Sequence, residues 1–198
     1  MKETRPRGRP RESALDERIL EATLRLLAEV GYAHMSYEEI AMAAHTTRAT
    51  IYLRYSSKAV LATTAIAYAR RSFTLAPLTG DTRLDLLAQL RHFQESMDAP
   101  YSLPLVGVAL AEAQSTPELL AALREYVIST RREGLRAILQ QAQARSELEP
   151  STDIELAVAQ LIGSYYALSI AGKSVAADWP ERVVGQLLAG IAYKVPPS

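Results

Sequence analysis

The sequence predicts an all-α protein of about nine helices, a small three-helix domain at the N-terminus followed by a larger helical bundle. Apolar residues recur at spacings of three and four, as in the stripe Leu15, Ile19, Ala22, Leu26 and Val30. The alternation typical of strands is almost absent. Glycine and proline fall where helices should stop or start.

The boundaries of the helices follow from these stop and start signals. Gly31 ends the first helix, Pro77 and Gly80 mark a break after the fourth, and Thr116-Pro117 combines an N-cap hydroxyl with a proline at the first helical position. The predicted helices span residues 15–30, 37–44, 48–54, 58–75, 82–97, 103–114, 117–145, 153–171 and 178–193.

Composition limits the class of protein. The chain has 198 residues, of which 48% are hydrophobic and 22% charged, as in globular proteins with a real core. The absence of cysteine excludes disulfides, thiolate catalysis and cysteine-ligated zinc. No apolar run approaches the roughly 20 residues that span a bilayer, and the charged N-terminus lacks a secretory signal, so we expect a cytoplasmic protein.

Charge is concentrated at one end of a chain whose formal net charge is zero. Residues 1–11 carry five lysines and arginines against the single acid Glu3. This distribution is expected when one end of a protein meets phosphate, although a solvated tail would look the same.

A short motif between residues 36 and 58 carries the functional argument. Ser36 and Glu39 form a capping box, S-x-x-E, at the start of a short helix. A turn follows at His45-Thr46, and Thr47 can cap a second short helix. Two short helices joined by a tight turn are typical of a helix-turn-helix. Ile40, Ala41 and Ala44 are expected to face inward.

The second short helix has two different faces. Ile51 and Tyr55, four residues apart, form an inner face. The outer face consists of Thr47, Arg48, Ala49 and Thr50, which are groups suited to base edges in a major groove.

The same stretch resembles the tetracycline-repressor (TetR) family of transcriptional regulators. The resemblance covers roughly the first third of the chain. It rests on Ile19-Leu20, Ala22, Leu26-Leu27, Glu29, Gly31-Tyr32, Ser36, Ile40-Ala41, Ala44, Thr50-Ile51-Tyr52, Tyr55, Ser57-Lys58 and Leu61.

The resemblance implies a set of DNA contacts. Tyr52 and Lys58 would contact backbone phosphates, and Ser36 would meet a phosphate at a helix N-terminus. Taken singly, Tyr52 could equally be a packed aromatic residue and Lys58 a solvated lysine. His45 stands where the family often has glycine, and Arg54 adds a cation near phosphate. The expected DNA-binding residues are Arg7, Arg9, Ser36, Tyr37, Thr47, Arg48, Ala49, Thr50, Tyr52, Arg54 and Lys58.

The basic N-terminus supports the same interpretation. Pro6-Arg7-Gly8-Arg9-Pro10 is similar to the core of an AT-hook, in which arginines enter the narrow minor groove of A·T-rich DNA. The predicted domains are therefore a flexible basic arm (1–11), a helix-turn-helix DNA-binding domain (12–60) and a ligand-binding and dimerisation domain (61–198).

Beyond residue 80 the sequence contains no catalytic constellation, phosphate loop or metal-ligand cluster, so we expect neither an enzyme nor a cofactor. The resemblance implies a pocket for a small molecule, for which we expect the lining Phe93, Met97, Leu105, Tyr126 and Tyr165. It also implies a homodimer built on the last two helices, whose apolar residues exceed what one bundle needs to cover.

These observations predict a repressor that a small-molecule ligand releases from a palindromic operator. Two alternatives remain open at this point. One is a helical ligand-binding protein or enzyme that uses the C-terminal cavity. The other is an architectural protein that grips A·T-rich DNA through its arm.

Overall fold

The computed structural model describes residues 9–69 and 77–191, with side chains from residue 13 onward. Within these ranges the chain consists of helices and their connections. The helices are α1 (Arg9–His34), α2 (Tyr37–Ala43), α3 (Arg48–Arg54), α4 (Lys58–Ala69), α5 (Thr82–Met97), α6 (Ser102–Ala111), α7 (Pro117–Ala122), a π-helical segment (Leu123–Ile128), α8 (Ser129–Ala144), α9 (Ile154–Ile170) and α10 (Trp179–Ile191).

The number and class of the helices agree with the prediction. The chain runs from α7 through the π-helical segment into α8 without interruption, where one helix was predicted over 117–145. Counted as one, these segments give nine helices in the described ranges, and the all-α class is confirmed. None of the described helices is long and apolar enough to span a bilayer.

Three helix ends show how local sequence acts. At Gly31 the backbone has φ 80° and ψ 165°, so the regular helix breaks at the predicted residue. The other end of α1 lies at Arg9 rather than near residue 15, because Pro10 is tolerated in a first turn where backbone N–H groups lack partners. Thr116 is the N-cap of α7, but its side chain makes no cap hydrogen bond.

The helices group into two compact units. The first contains α1–α4 together with α6, α7 and the π-helical segment, and the second contains α5 and α8–α10. The domains expected at 12–60 and 61–198 are continuous in sequence, whereas each of these units is defined by the packing of its helices and α6, α7 and the π-helical segment belong to the first. Residues of α6 and α7 complete a core that the three N-terminal helices cannot close alone.

The core of the first unit positions the helix-turn-helix. Its central side chains are fully buried and come from every helix of the N-terminal region. Helix α1 packs against α4, so the fourth helix helps to close this core. The core includes Ile19, Leu27, Ile40, Ala44, Ile51, Leu61, Ile66, Leu105, Leu119 and Leu123.

The second unit buries most of the apolar surface of its last two helices. Seven of the apolar residues that were expected to face a partner are buried within the protomer, because α5 and α8 pack against α9 and α10. They are Ala157, Val158, Leu161, Ile162, Tyr165, Val184 and Leu187. The large exposed apolar residues of α9 are others, namely Leu156 at 56% and Ile170 at 82% exposure.

Two surface ion pairs of the second unit share one carboxylate. Arg132 and Arg136 on α8 both bind the Glu155 carboxylate at the start of α9, Arg132 at 2.7 Å. The hydrogen bonds from Arg136 and Arg132 lower the pKa of Glu155 from 4.5 to about 2.

Candidate nucleic-acid interface

The first helix of the motif begins with the predicted capping box. The Ser36 hydroxyl accepts a hydrogen bond from the Glu39 backbone N–H at 3.3 Å. The Glu39 carboxylate in turn accepts from the Ser36 N–H at 3.1 Å and from its hydroxyl at 2.7 Å. The hydroxyl bond, followed by the N–H bond, lowers the pKa of Glu39. The start of α2 is therefore fixed before any ligand arrives.

The turn between α2 and α3 adopts the backbone that its sequence position requires. His45 has φ 51°, the left-handed conformation expected at a position where glycine is common. The Thr46 N–H donates to the Ala41 carbonyl at 2.9 Å and closes the turn. Arg18 of α1 donates from Nε to the Ala44 carbonyl at 3.2 Å, which ties the turn to the first helix.

Helix α3 presents the predicted outward face. Thr47 is its N-cap and accepts from the Thr50 N–H at 3.2 Å, and the two hydroxyls lie 2.9 Å apart. Thr47, Arg48 and Ala49 are exposed and Thr50 is half-buried, whereas Ile51 is fully buried against the core. Because the burial of Ile51 fixes the orientation of α3, the face formed by Thr47, Arg48, Ala49 and Thr50 points away from the core.

Each of the three predicted cations near this face has a defined partner. Arg48 pairs with Glu38 of α2, and Arg54 pairs with Asp16 of α1 at 3.0 Å. Lys58 donates to the carbonyl of Ala33 at 3.2 Å. Its ammonium also lies 4.6 Å from the centre of the Tyr32 ring.

Two tyrosines join α2 to α3. The rings of Tyr37 and Tyr52 stack with centroids 4.4 Å apart and planes tilted by 35°. Tyr52 remains 44% exposed, so the stack fixes the ring while leaving its edge accessible. Tyr37 is half-buried. Burial is the main cause of the raised pKa of Tyr37, which keeps the phenol neutral.

The structure does not describe the side chains of two expected DNA-binding residues, and it shows three surface residues of the motif region that the sequence analysis did not single out. Arg7 lies outside the described residues, and Arg9 is described only as the first residue of α1. Sequence reasoning missed Glu38 and Asp16, the carboxylates beside the two arginines. It also missed Leu53, which is 90% exposed on α3. Its position two residues after Ile51, off the inner face that Ile51 and Tyr55 share, could have indicated an exposed apolar residue.

The residues expected to line a ligand pocket divide between the units. Phe93, Met97 and Tyr165 lie together in the core of the second unit, where the rings of Phe93 and Tyr165 meet edge to face at 5.3 Å. The Tyr165 hydroxyl donates to Asp98 at 2.7 Å, and burial followed by this bond raises the pKa of Tyr165. Leu105 is buried in the core of the first unit.

The fifth of these residues, Tyr126, lies in the π-helical segment of the first unit. It lines a groove of about 490 Å³ between α4 and the α7 region. Thr63 and Thr64 form the α4 side of this groove, and Glu118 and Glu125 belong to the opposite side. The groove therefore combines hydroxyls and carboxylates with the apolar side chains of Ala67, Ala121 and Ala122.

A cationic side chain lies beside the aromatic residues of the second unit. Arg131 is only 9% exposed and donates to the Ser96 hydroxyl at 2.6 Å and to the Met97 sulfur at 3.3 Å. Its guanidinium lies 5.2 Å from the centre of the Phe93 ring. Burial lowers the pKa of Arg131, and a hydrogen bond with Tyr166 opposes that shift.

Comparison with known proteins covers both parts of the chain. Residues 19–64 match the bacterial regulatory proteins of the tetR family, and residues 76–187 match a tetracyclin repressor-like C-terminal domain. An HTH-type transcriptional regulator of Mycobacterium tuberculosis is 33% identical over 139 residues, which are 70% of this chain. The match spans 66% of that relative's length, just under two thirds.

Two further relatives extend this result. A protein of Mycobacteroides abscessus named as a DNA-binding transcriptional repressor, TetR, is 30% identical over 76% of this chain and 77% of its own length. A crystallised regulator from Mesorhizobium loti has the same fold, with a TM-score of 0.72 over 92% of this chain and 99% of its own at 19% identity. The chain belongs to the tetR family of bacterial regulatory proteins.

Proposed function

We propose that this protein is a transcriptional repressor that binds a near-palindromic operator as a homodimer and leaves it when a small-molecule effector binds. The observation that carries the proposal is the exposed N-terminal face of α3, held outward by the buried Ile51 and bordered by Arg48, Arg54 and Lys58. A major groove admits a helix of this kind, with short polar groups and arginine against base edges.

The proposed contacts divide into two classes. Thr47, Arg48, Ala49 and Thr50 read bases, and the remaining groups hold the backbone. Tyr52 and Lys58 contact phosphates from the end of the motif, as Arg54, Ser36 and Tyr37 do from its flanks. Arg7 and Arg9 extend the contact into an adjacent minor groove, where arginine is attracted by the enhanced negative potential. Phosphate contacts give affinity and orientation, whereas base contacts give specificity.

The outer face of α9 supports a two-fold dimer. Leu156, Gly163, Ala167 and Ile170 are exposed and recur at helical spacing, so they lie on one face. Gly163 and Ala167 allow close helix approach, and Leu156 and Ile170 supply apolar contact. Placing a charge here, as in Ala167→Glu, should give a folded monomer by sedimentation and abolish tight binding to the palindrome.

Release by an effector requires only that the effector bind the DNA-free conformation of the protein more tightly than the DNA-binding conformation. A coupling free energy of about 1–3 kcal/mol would weaken DNA binding about 5- to 150-fold. Phe93, Met97 and Tyr165 in the second unit, and Leu105 and Tyr126 in the first, are the candidate effector residues. A ligand that raises the melting temperature without changing DNA affinity would bind without regulating.

Selection of bound sequences from a random duplex pool tests this function. We expect a palindromic consensus whose half-sites lie about one helical turn apart, roughly 34–36 Å. Recovery of A·T-rich sequence without a palindrome would instead favour an architectural protein. Deleting residues 1–11 separates the two, since an operator-reading repressor should lose affinity and keep its consensus. Turnover of a bound small molecule by the purified protein would favour an enzyme.

A further inference from the structure

The surface proposed to meet DNA includes an acidic side chain whose partner is a base-reading arginine. Glu38 lies in the first turn of α2 and is 61% exposed. It forms an ion pair with Arg48, ten residues later on α3, whose side chain is 55% exposed. A carboxylate on a phosphate-binding surface opposes affinity, because it repels the backbone that its neighbours attract. Its position therefore calls for a compensating role.

Arg48 is held from several directions in the free protein. Besides the Glu38 carboxylate, Nη2 donates to the Tyr52 hydroxyl at 2.9 Å. The guanidinium carbon lies 5.1 Å from the centre of the Tyr52 ring. Tyr52 is fixed in turn by its stack on Tyr37. The bond to Tyr52, followed by the charge of Glu38, raises the pKa of Arg48, so its charge is secure.

This arrangement changes what the arginine can do. A free arginine on a long stem samples many rotamers and reaches any nearby phosphate, which gives affinity without sequence choice. A guanidinium whose two terminal nitrogens are already held by Glu38 and Tyr52 loses less conformational entropy when its remaining donors meet a base edge. It is also kept from swinging to the backbone. The carboxylate thus favours base contact over phosphate contact.

We propose that Glu38 is a positioning residue that sets sequence specificity by directing Arg48 toward base edges and by weakening binding to DNA of the wrong sequence. The inference rests on the proposed function, because it requires α3 to enter a groove. Specificity obtained by a repulsive element is a general device in recognition.

The test is a double-mutant cycle on two duplexes of equal length. One carries the sequence recovered by selection, and the other carries the same bases in scrambled order. Dissociation constants are measured by fluorescence anisotropy for the wild type, Glu38→Gln, Arg48→Gln and the double variant at one salt concentration. Glu29→Gln removes the same charge from an exposed position of α1 and serves as the matched control.

We expect Glu38→Gln to tighten binding to the scrambled duplex more than binding to the selected duplex. The specificity ratio, which is the affinity for the selected duplex divided by that for the scrambled duplex, should fall on the order of tenfold. In the Arg48→Gln background the same change should leave the ratio unaltered. Glu38→Asp keeps the charge but shortens the side chain, so it should no longer position Arg48. We expect weaker binding to the selected duplex, unchanged weak binding to the scrambled duplex, and therefore a lower specificity ratio. Glu29→Gln should change neither.

Three results would overturn the inference. These are an equal gain on both duplexes, no change with Glu38→Gln, and the same loss of specificity whether or not Arg48 is present. A wild type that fails to prefer the selected duplex would instead refute the proposed function, so the two failures are distinguishable. Thermal unfolding of each variant confirms that the comparison is made on folded protein.

Discussion

Replacement of Lys58 by methionine should weaken DNA binding in a strongly salt-dependent way. The ammonium of Lys58 lies between two neutral groups, the Ala33 carbonyl at 3.2 Å and the Tyr32 ring at 4.6 Å. Neither group neutralises its charge, which is therefore available to a phosphate. Methionine retains an unbranched stem over the ring and removes only the charge and the donor, so the fold should survive.

The size of the effect follows from counterion release. Each phosphate contact contributes about 0.9 to the slope of log affinity against log salt. A dimer presents two copies of Lys58, so the variant should have a slope smaller by about 1.8. If this contribution vanishes near 1 M salt, the loss of affinity is about 60-fold at 0.1 M salt.

The assay is anisotropy titration of the selected duplex at four or more salt concentrations. Lys173→Met, which removes an exposed lysine from the second unit, is the control and should keep the wild-type slope. A Lys58 variant whose affinity falls by the same factor at every salt concentration would refute the reasoning. Lys58 would then act only by holding the end of α1.

Three further predictions concern stability and the surface of the motif. Ser36→Ala removes the capping box and should lower the free energy of unfolding by about 1 kcal/mol in urea titrations. Ile51→Ala, at a fully buried site, should cost about 2–5 kcal/mol, whereas Leu53→Ala on the same helix should leave stability within about 0.5 kcal/mol. Equal losses in the two variants would contradict the assignment of the two faces. Glu155 has a folded pKa of about 2 against 4.5, so its ion pairs stabilise above pH 4.5 and are lost as the pH falls toward 2. The stability difference between wild type and Glu155→Gln should shrink over that interval, and a constant difference in urea midpoints would show that the pairs contribute nothing.

Features fixed by neighbouring residues could be predicted from the sequence. The capping box of Ser36 and Glu39, the break at Gly31 and the turn at His45 each depend on a few adjacent residues, and the structure confirms all three. The N-cap bond expected at Thr116 was wrong, because the backbone there has φ −140° and ψ 69°, outside the extended conformation that N-cap residues usually adopt.

Features that depend on tertiary packing could not be predicted in the same way. Asp16 and Arg54 are 38 residues apart, and no periodicity links a carboxylate on α1 to the end of α3. Leu105 and Phe93 were expected to line one pocket, whereas each is buried in a different unit, because apolar spacing does not indicate which core a residue joins. The pattern reports that a face is buried and leaves its partner unspecified.

The central claim is that the face beginning at Thr47 enters a groove and is held there by the tyrosine and lysine that follow. Binding of the selected duplex by Tyr52→Ala/Lys58→Met tests it most directly, alongside thermal unfolding. We predict a folded protein whose affinity at 0.1 M salt falls by on the order of 100-fold or more, since phosphate contacts supply most of the affinity. A folded double variant that binds this duplex as tightly as the wild type would contradict the claim.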